Sequence, residues 1–367
     1  MHLLPSALTV ALATACLFTL AAPVSAAEIA PASFIVYIAA SGDNAIGRYR
    51  LQRDTGDLLH LDDTKLPGAP GSLALSADRR FLYAAVRSME SVATLRVTPG
   101  DGALKLLGTT KVAGNPVYIT PDRSGKHLLT AYYTGNKTAV YPIAADGIVQ
   151  STATSLHPTG ANPHCLVPSP DGRFVFVSNT GADKILQYQF DTTTGKLTPN
   201  TPPEILTTKG DGPRHLTFHP SGKFLYAVNE KGSSTTAFQF NSQTGALTAL
   251  HTLPTLPADF TGNNSCADIE ITPDGKFLYA SNRGHDSLAR YAIDAATGRL
   301  TALGHTPTEK TPREFAIDPT GRFLIAAGQS SNRLAVYRLD PATGALAPLA
   351  VHPCGKSPAW VLITALP

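Results

Sequence analysis

Four short motifs hold the residues of this chain best suited to chemistry: Asn162-Pro163-His164, Gly212-Pro213-Arg214-His215, Val228-Asn229-Glu230 and Ser281-Asn282-Arg283-Gly284-His285-Asp286. His164 and Glu230 are proton acceptors, and an imidazole has its ordinary pKa near neutrality, where it can both take and return a proton. Arg214 and Arg283 carry permanent positive charge in a planar fork, suited to negative charge developing on oxygen or to orienting a carboxylate. These groups are far apart along the chain. Only a repeating architecture would gather them.

The repeat is present. Cys266–Leu303 reads as four strand-like pieces: an apolar run ending in Pro273-Asp274-Gly275, then Phe277–Ser281, a polar turn, Leu288–Ile293, and a last piece starting after Thr297-Gly298. Short β-branched and aromatic runs punctuated by Asp-Gly and Thr-Gly predict antiparallel strands joined by tight turns. The start of the first strand recurs at Pro70, Pro116, Pro163, Pro213, Cys266, Pro312 and Pro358. A period of about 40–50 residues with four strands per unit predicts a β-propeller blade, and helical periodicity is absent. The C-terminus adds a lone first strand, Pro358–Thr364, whereas the chain enters with a second strand, Phe34–Ala39, and a third, Ile46–Leu51. Together these fragments make a seventh blade that closes the ring and leaves few open sheet edges. The expected fold is all-β: a seven-bladed β-propeller of four-stranded blades, with both chain ends in one blade.

Residues 1–26 carry no Lys, Arg, Asp or Glu, have an apolar stretch from Ala7 to Ala22, and end in Val24-Ser25-Ala26. This predicts a cleaved secretion signal, leaving 27–367 as a single domain, periplasmic or secreted, with no membrane attachment after cleavage. The 43% hydrophobic content supplies ample core, and the 30 Gly and 29 Pro serve the many turns. A net charge of +3 without any Lys/Arg block argues against nucleic acid as partner. Cys165, Cys266 and Cys354 show no C-x-x-C or zinc spacing, so free buried thiols are expected. A monomer is expected.

In an up-and-down blade, the residue after the starting proline and the residue after the second strand meet at one mouth of the channel. The first set is Gly71, Val117, His164, Arg214, Ala267, Arg313 and Ala359; the second is Ser41, Arg87, Tyr133, Thr180, Glu230, Arg283 and Gln329. Their charges concentrate in the blades begun by Pro163, Pro213, Cys266 and Pro312, as a site on one side of a symmetric ring would require. Competing readings exist for each. His164 can be a hydrogen-bonded strand histidine, the arginines can hold blades together, and Glu230 can be their counter-ion. His285 and Asp286 can simply serve their turn. His215, His219, His251 and His305 read as surface or turn residues, and Asp122, Asp171, Asp274 and Asp318 as recurring turn formers.

These motifs, with the recurring DGxFLY and TGxL units, resemble the seven-bladed β-propeller lactonase family, which includes bacterial 6-phosphogluconolactonases and fungal carboxy-cis,cis-muconate cyclases. The likeness covers essentially the whole mature chain. It implies an active site of His164, Arg214, Glu230 and Arg283; Arg313, His285, Asn282 and Arg87 are the candidate substrate contacts beside it. Pro312-Arg313-Glu314 departs from relatives that often carry histidine at the third position. Lactone opening needs an activated water and stabilisation of the oxyanion. His164 or Glu230 can take the proton, His164 preferred because Glu230 beside two arginines is a weak base, and Arg214 and Arg283 stabilise the charge. The mouth sets lack three or four convergent metal ligands, so no metal and no cofactor is expected. An exported lactonase would meet an unphosphorylated aldonolactone such as gluconolactone. A 6-phosphogluconolactonase is the alternative enzyme, and a non-catalytic propeller binding a protein or glycan is the alternative from another class.

Overall fold

The computed structural model describes Met1, His2 and residues 33–365. Apart from its first two residues, the expected secretion signal with its cleavage point lies outside the described residues.

Seven four-stranded antiparallel sheets form between Ser33 and Thr364. Blade 1 is the closure: the C-terminal strand Pro358–Thr364 is innermost and pairs with Ser33–Ala40, followed by Ala45–Gln52 and Leu58–Lys65. Blades 2 to 7 start at Pro70, Tyr118, Pro163, Pro213, Ser265 and Pro312 and run outward in chain order. In blade 3 the innermost strand is only Tyr118–Pro121, although Val117 N still donates to Ala131 O at 2.9 Å.

Second strands are apolar on both faces because each blade is covered on both sides. In Ser33–Ala40, Phe34, Val36 and Ile38 pack on Phe323, Ile325 and Leu334 of blade 7, while Ile35, Tyr37 and Ala39 pack on Leu82, Ala84 and Ala93 of blade 2. Seven such clusters, one per pair of neighbouring blades, close the ring. The DGxFLY and TGxL repeats turn out to be partners across blades. Tyr226 donates to Gly298 O at 2.9 Å and Tyr279 to Gly344 O at 2.8 Å, each in the following blade. The same glycines lie under the preceding blade's phenylalanine: a Cβ on Gly298, at φ +69°, would stand 2.3 Å from the Phe224 ring. Only glycine satisfies both the left-handed backbone and that approach.

The mouth-side ends of the innermost strands are bulged. Pairing shifts between Pro163 and Cys165, Pro213 and Leu216, Cys266 and Ile269, and Pro312 and Glu314. A bulge leaves residues unpaired and re-aims their side chains. The residues it releases here are His164, Arg214 with His215, Ala267 with Asp268, and Arg313. Second-strand serines satisfy the freed backbone: Ser178 Oγ accepts from Cys165 N at 3.2 Å and donates to Arg214 O, and Ser281 Oγ accepts from Asp268 N at 2.9 Å.

Candidate active site

The residue after each second strand is tied to the same mouth as the bulge. Arg87 N donates to Ala69 O, Thr180 N to Asn162 O, Glu230 N to Gly212 O and Gln329 N to Thr311 O. The two expected sets therefore do share one mouth. A cavity of about 320 Å³ opens there, lined among others by His164, Arg214, Arg313, Arg87, Gln329 and Trp360. Gly71 makes room for one of them: a Cβ would lie 2.9 Å from Arg87 Cδ. Arg87 is held by Asn115, whose Oδ1 accepts from Nε at 3.1 Å.

Arg214 is 1% exposed and spans two blades, its Nη1 donating to Ala267 O. Its Nε lies 3.8 Å from Glu230 Oε2 and its Nη1 3.8 Å from Glu314 Oε1, while Nε and Nη2 have no hydrogen-bond partner. Arg283 is clamped more firmly: Nη2 donates to Glu230 Oε1 at 2.5 Å and to Cys266 O at 2.7 Å, and Nε donates to Ser265 O at 3.3 Å. Glu230 thus bridges Arg214 and Arg283, which joins the Arg283 pair to the cavity although neither Glu230 nor Arg283 lines it. Among the described residues no carboxylate pairs with Arg313, whose pKa is lowered by burial and then by the charge of Arg214.

His164 is buried beside Tyr133 and His215, with ring centroids 5.7 and 5.2 Å away, and its Nδ1 has no partner. Burial, then the charges of Arg214, His215, Arg313 and Arg283, push its pKa well below the ordinary imidazole value. The imidazole is therefore neutral and a weaker base than an ordinary histidine, against the expectation of a pKa near neutrality. Burial pushes the Glu230 carboxyl up, but Arg214, Arg283 and Arg313 together outweigh it and hold the pKa below its ordinary value. Glu230 is therefore a weak base and a strong anchor.

A stability prediction follows from that lowered pKa. Around Glu230 stand Arg214, Arg283, Arg313 and Tyr133. Its contribution is fully present above the unfolded carboxyl pKa of about 4.3 and is lost as pH falls through the lower folded value. In urea titrations, the stability gap between wild type and Glu230→Gln is expected to be open at pH 6 and to close in strong acid. A gap independent of pH would contradict the anchor role.

Two expected substrate contacts do not reach the mouth cavity. The Asn282 amide is consumed by blade 6 and the segment leading into it, donating to Thr255 O at 2.7 Å and Ser287 Oγ at 3.3 Å, while its Oδ1 accepts from Asn264 at 3.1 Å. His285 Nδ1 meets Ser287 Oγ at 2.7 Å, and the ring packs on Phe260 at 4.8 Å. The turn formers behave as expected: Asp122, Asp171, Asp274 and Asp318 each accept from backbone N–H groups a few residues on. The three thiols are free.

The histidines need correction. His215 is not a surface residue; it is 3% exposed, because the bulge after Pro213 turns two consecutive residues inward. Its Nδ1 is 2.8 Å from Asp268 Oδ1 and its Nε2 is 3.8 Å from Glu314 Oε1. His219 is also buried, its ring occupying the aspartate position of the turn with Nδ1 2.8 Å from Ser221 Oγ and Nε2 2.9 Å from Gly275 O. His251 accepts from Leu300 N and His305 lies 2.9 Å from Thr255 O, both half-buried. His215, Asp268 and Glu314 are the members of the channel that the mouth rule passes over. The signal available for them is the adjacency of each to a mouth position.

Comparison with known proteins converges. The sequence model of the family described as "Lactonase, 7-bladed beta-propeller" matches residues 35–363. The chain is 37% identical over 283 residues to a 6-phosphogluconolactonase of Serratia proteamaculans, covering 77% of this chain and 84% of that one. A 6-phosphogluconolactonase of Cronobacter sakazakii is 36% identical over 282 residues, with the same coverage. Among solved structures, a putative 6-phosphogluconolactonase from Bacteroides fragilis superposes with TM-score 0.84 at 28% identity, covering 91% of this chain and 98% of that one. The periplasmic gluconolactonase of Pseudomonas aeruginosa also gives 0.84 at 28% identity, covering 91% and 100%.

Proposed function

Because the chain belongs to the seven-bladed β-propeller lactonase family and is a lactone hydrolase of that type, we propose that its basic mouth opens a sugar-derived lactone, gluconolactone-like, to the aldonic acid. The observation that carries the reading is that the His164 imidazole lines the same 320 Å³ cavity as the buried guanidinium of Arg214. His164 takes a proton from water as the water oxygen attacks the carbonyl carbon. The carbonyl electron pair moves onto oxygen, where Arg214, which lines the cavity, meets the charge, with Arg283 adding positive charge from behind Glu230. Collapse breaks the ring C–O bond, and the leaving alkoxide recovers the proton from His164. Glu230 keeps the two guanidinium groups in register by accepting from Arg283 and facing Arg214.

The uncharged apolar N-terminal segment and the likeness to a periplasmic gluconolactonase support an exported enzyme acting on an unphosphorylated substrate. Among the described residues no helix is long and apolar enough to cross a membrane. A second reading, 6-phosphogluconolactonase, is favoured by one observation: Arg313 and Arg87 line the same cavity with no carboxylate partner among the described residues, which suits an anionic substituent.

Initial rates by pH-stat, corrected for spontaneous opening, separate the two. On the gluconolactone reading kcat/KM is higher for gluconolactone than for its 6-phosphate, and Arg313→Met affects the two alike. On the phosphate reading the preference reverses and Arg313→Met selectively costs the 6-phosphate about 10–100-fold, as loss of a charged hydrogen bond should.

A further inference from the structure

The channel has a second, chemically opposite mouth. At the far ends of the innermost strands lies a cavity of about 610 Å³ whose lining includes His215, Asp268, Glu270 and Glu314. Glu314 and Trp360 border both cavities, so they form the floor between a basic mouth and an acidic one. His215, Asp268 and Glu314 each offer a donor atom within 4.8 Å of the others, and all three are buried.

We propose that this group binds one divalent transition-metal ion, held by His215 Nε2 and the Glu314 carboxylate, and entering from the acidic mouth. Asp268 positions the imidazole. Its Oδ1 accepts from Ile269 N at 2.9 Å and faces His215 Nδ1 at 2.8 Å, and its Oδ2 accepts from Phe315 N at 3.1 Å. With Nδ1–H given to Asp268, Nε2 presents a lone pair, the arrangement in which metal-binding histidines are ordinarily held. That nitrogen is buried and has no hydrogen-bond partner among the described residues. It stands 3.8 Å from Glu314 Oε1, too far for a hydrogen bond. Two donors at that separation can both lie about 2.0–2.2 Å from one ion.

The composition of the mouth points the same way. Asp122, Asp268, Glu270 and Glu314 bring four carboxyl groups to one end of the channel, against the single guanidinium of Arg123 in the same lining. The nearest guanidinium, Arg214, is 3.8 Å from Glu314, equally far from Glu230, and gives its hydrogen bond to Ala267 O instead. A nitrogen donor beside carboxylates selects Zn²⁺ or Mn²⁺ over Ca²⁺, which takes oxygen ligands.

The test is calorimetric titration of the chelator-stripped protein with Zn²⁺ and Mn²⁺, without substrate, so that the outcome is separate from the lactone reading. One ion per chain in the micromolar range is expected, together with a raised melting temperature. Glu314→Gln and His215→Gln are expected to weaken binding by at least about 100-fold, and His251→Asn to leave it unchanged. The visible spectrum of the Co²⁺-loaded wild type needs no variant: intense bands of a nitrogen-ligated, low-coordinate site support the proposal. No saturable binding, binding unchanged in both channel variants, or a spectrum of hydrated Co²⁺ alone would overturn it.

Discussion

His164→Ala is expected to lower kcat for lactone opening by about 10²–10⁴-fold, the range supplied by a positioned proton-transfer group. KM should move little, since the lost group acts on the attacking water and not on the bound sugar. The reason lies in what surrounds the ring. Burial and the neighbouring positive charges keep His164 neutral and also weaken it as a base, so its case rests on position: it lines the mouth cavity with Nδ1 unpartnered among the described residues. Its rival is poorly placed: Glu230 is bonded to Arg283 at 2.5 Å and held ionised by three guanidinium groups. Glu230→Gln should therefore cost less in kcat than His164→Ala. The reverse order would transfer the base role to Glu230. His251→Ala, a half-buried histidine on an outer strand, should behave as wild type.

The second large effect is expected at Arg214. Arg214→Met removes a cation that is 1% exposed and stands between two carboxyl groups, Glu230 and Glu314, each 3.8 Å away. Breaking a buried ion pair from one side typically costs about 3–5 kcal/mol, and the loss here is expected below that range because Glu230 keeps its bond to Arg283 and burial holds the Glu314 pKa well above the ordinary carboxyl value. Activity should fall by a further 10²–10³-fold, about the loss on removing one oxyanion donor. Arg214→Lys separates the two consequences. It retains the charge and should recover much of the stability, but the ammonium cannot reproduce the guanidinium fork, so activity should remain low. Chemical denaturation and kcat on the same preparations read both. Full activity in Arg214→Lys would remove the fork from the account.

The ring is legible in the sequence because its determinants are local and repeated. FLY and TG recur together since Tyr226 bonds Gly298 and Phe224 covers it, and the same pair meets again as Tyr279 with Gly344 and Phe277. The end-to-end closure is readable from incomplete units at both termini, and Pro358–Thr364 does pair with Ser33–Ala40. His164, Arg214, Arg313 and Arg87 are found at one mouth because strand ends fix which side of the ring a residue faces. His215 and Asp268 escape that logic. A two-residue alternation would turn each away from the side taken by its predecessor, but the bulges between Pro213 and Leu216 and between Cys266 and Ile269 break the alternation. Nothing in the type of residue announces such a bulge in advance. Asn282 fails for a different reason: its motif is conspicuous, yet its amide serves Ser287 and, in the connection from blade 5 to blade 6, Thr255 and Asn264.

The basic mouth as a place where lactones are opened is tested most directly by pH-stat rates of the wild-type protein on gluconolactone and its 6-phosphate, set against buffer alone. The account predicts saturable acceleration of at least one of them. Opening of both lactones at the buffer rate, by a protein shown to be folded, would contradict it.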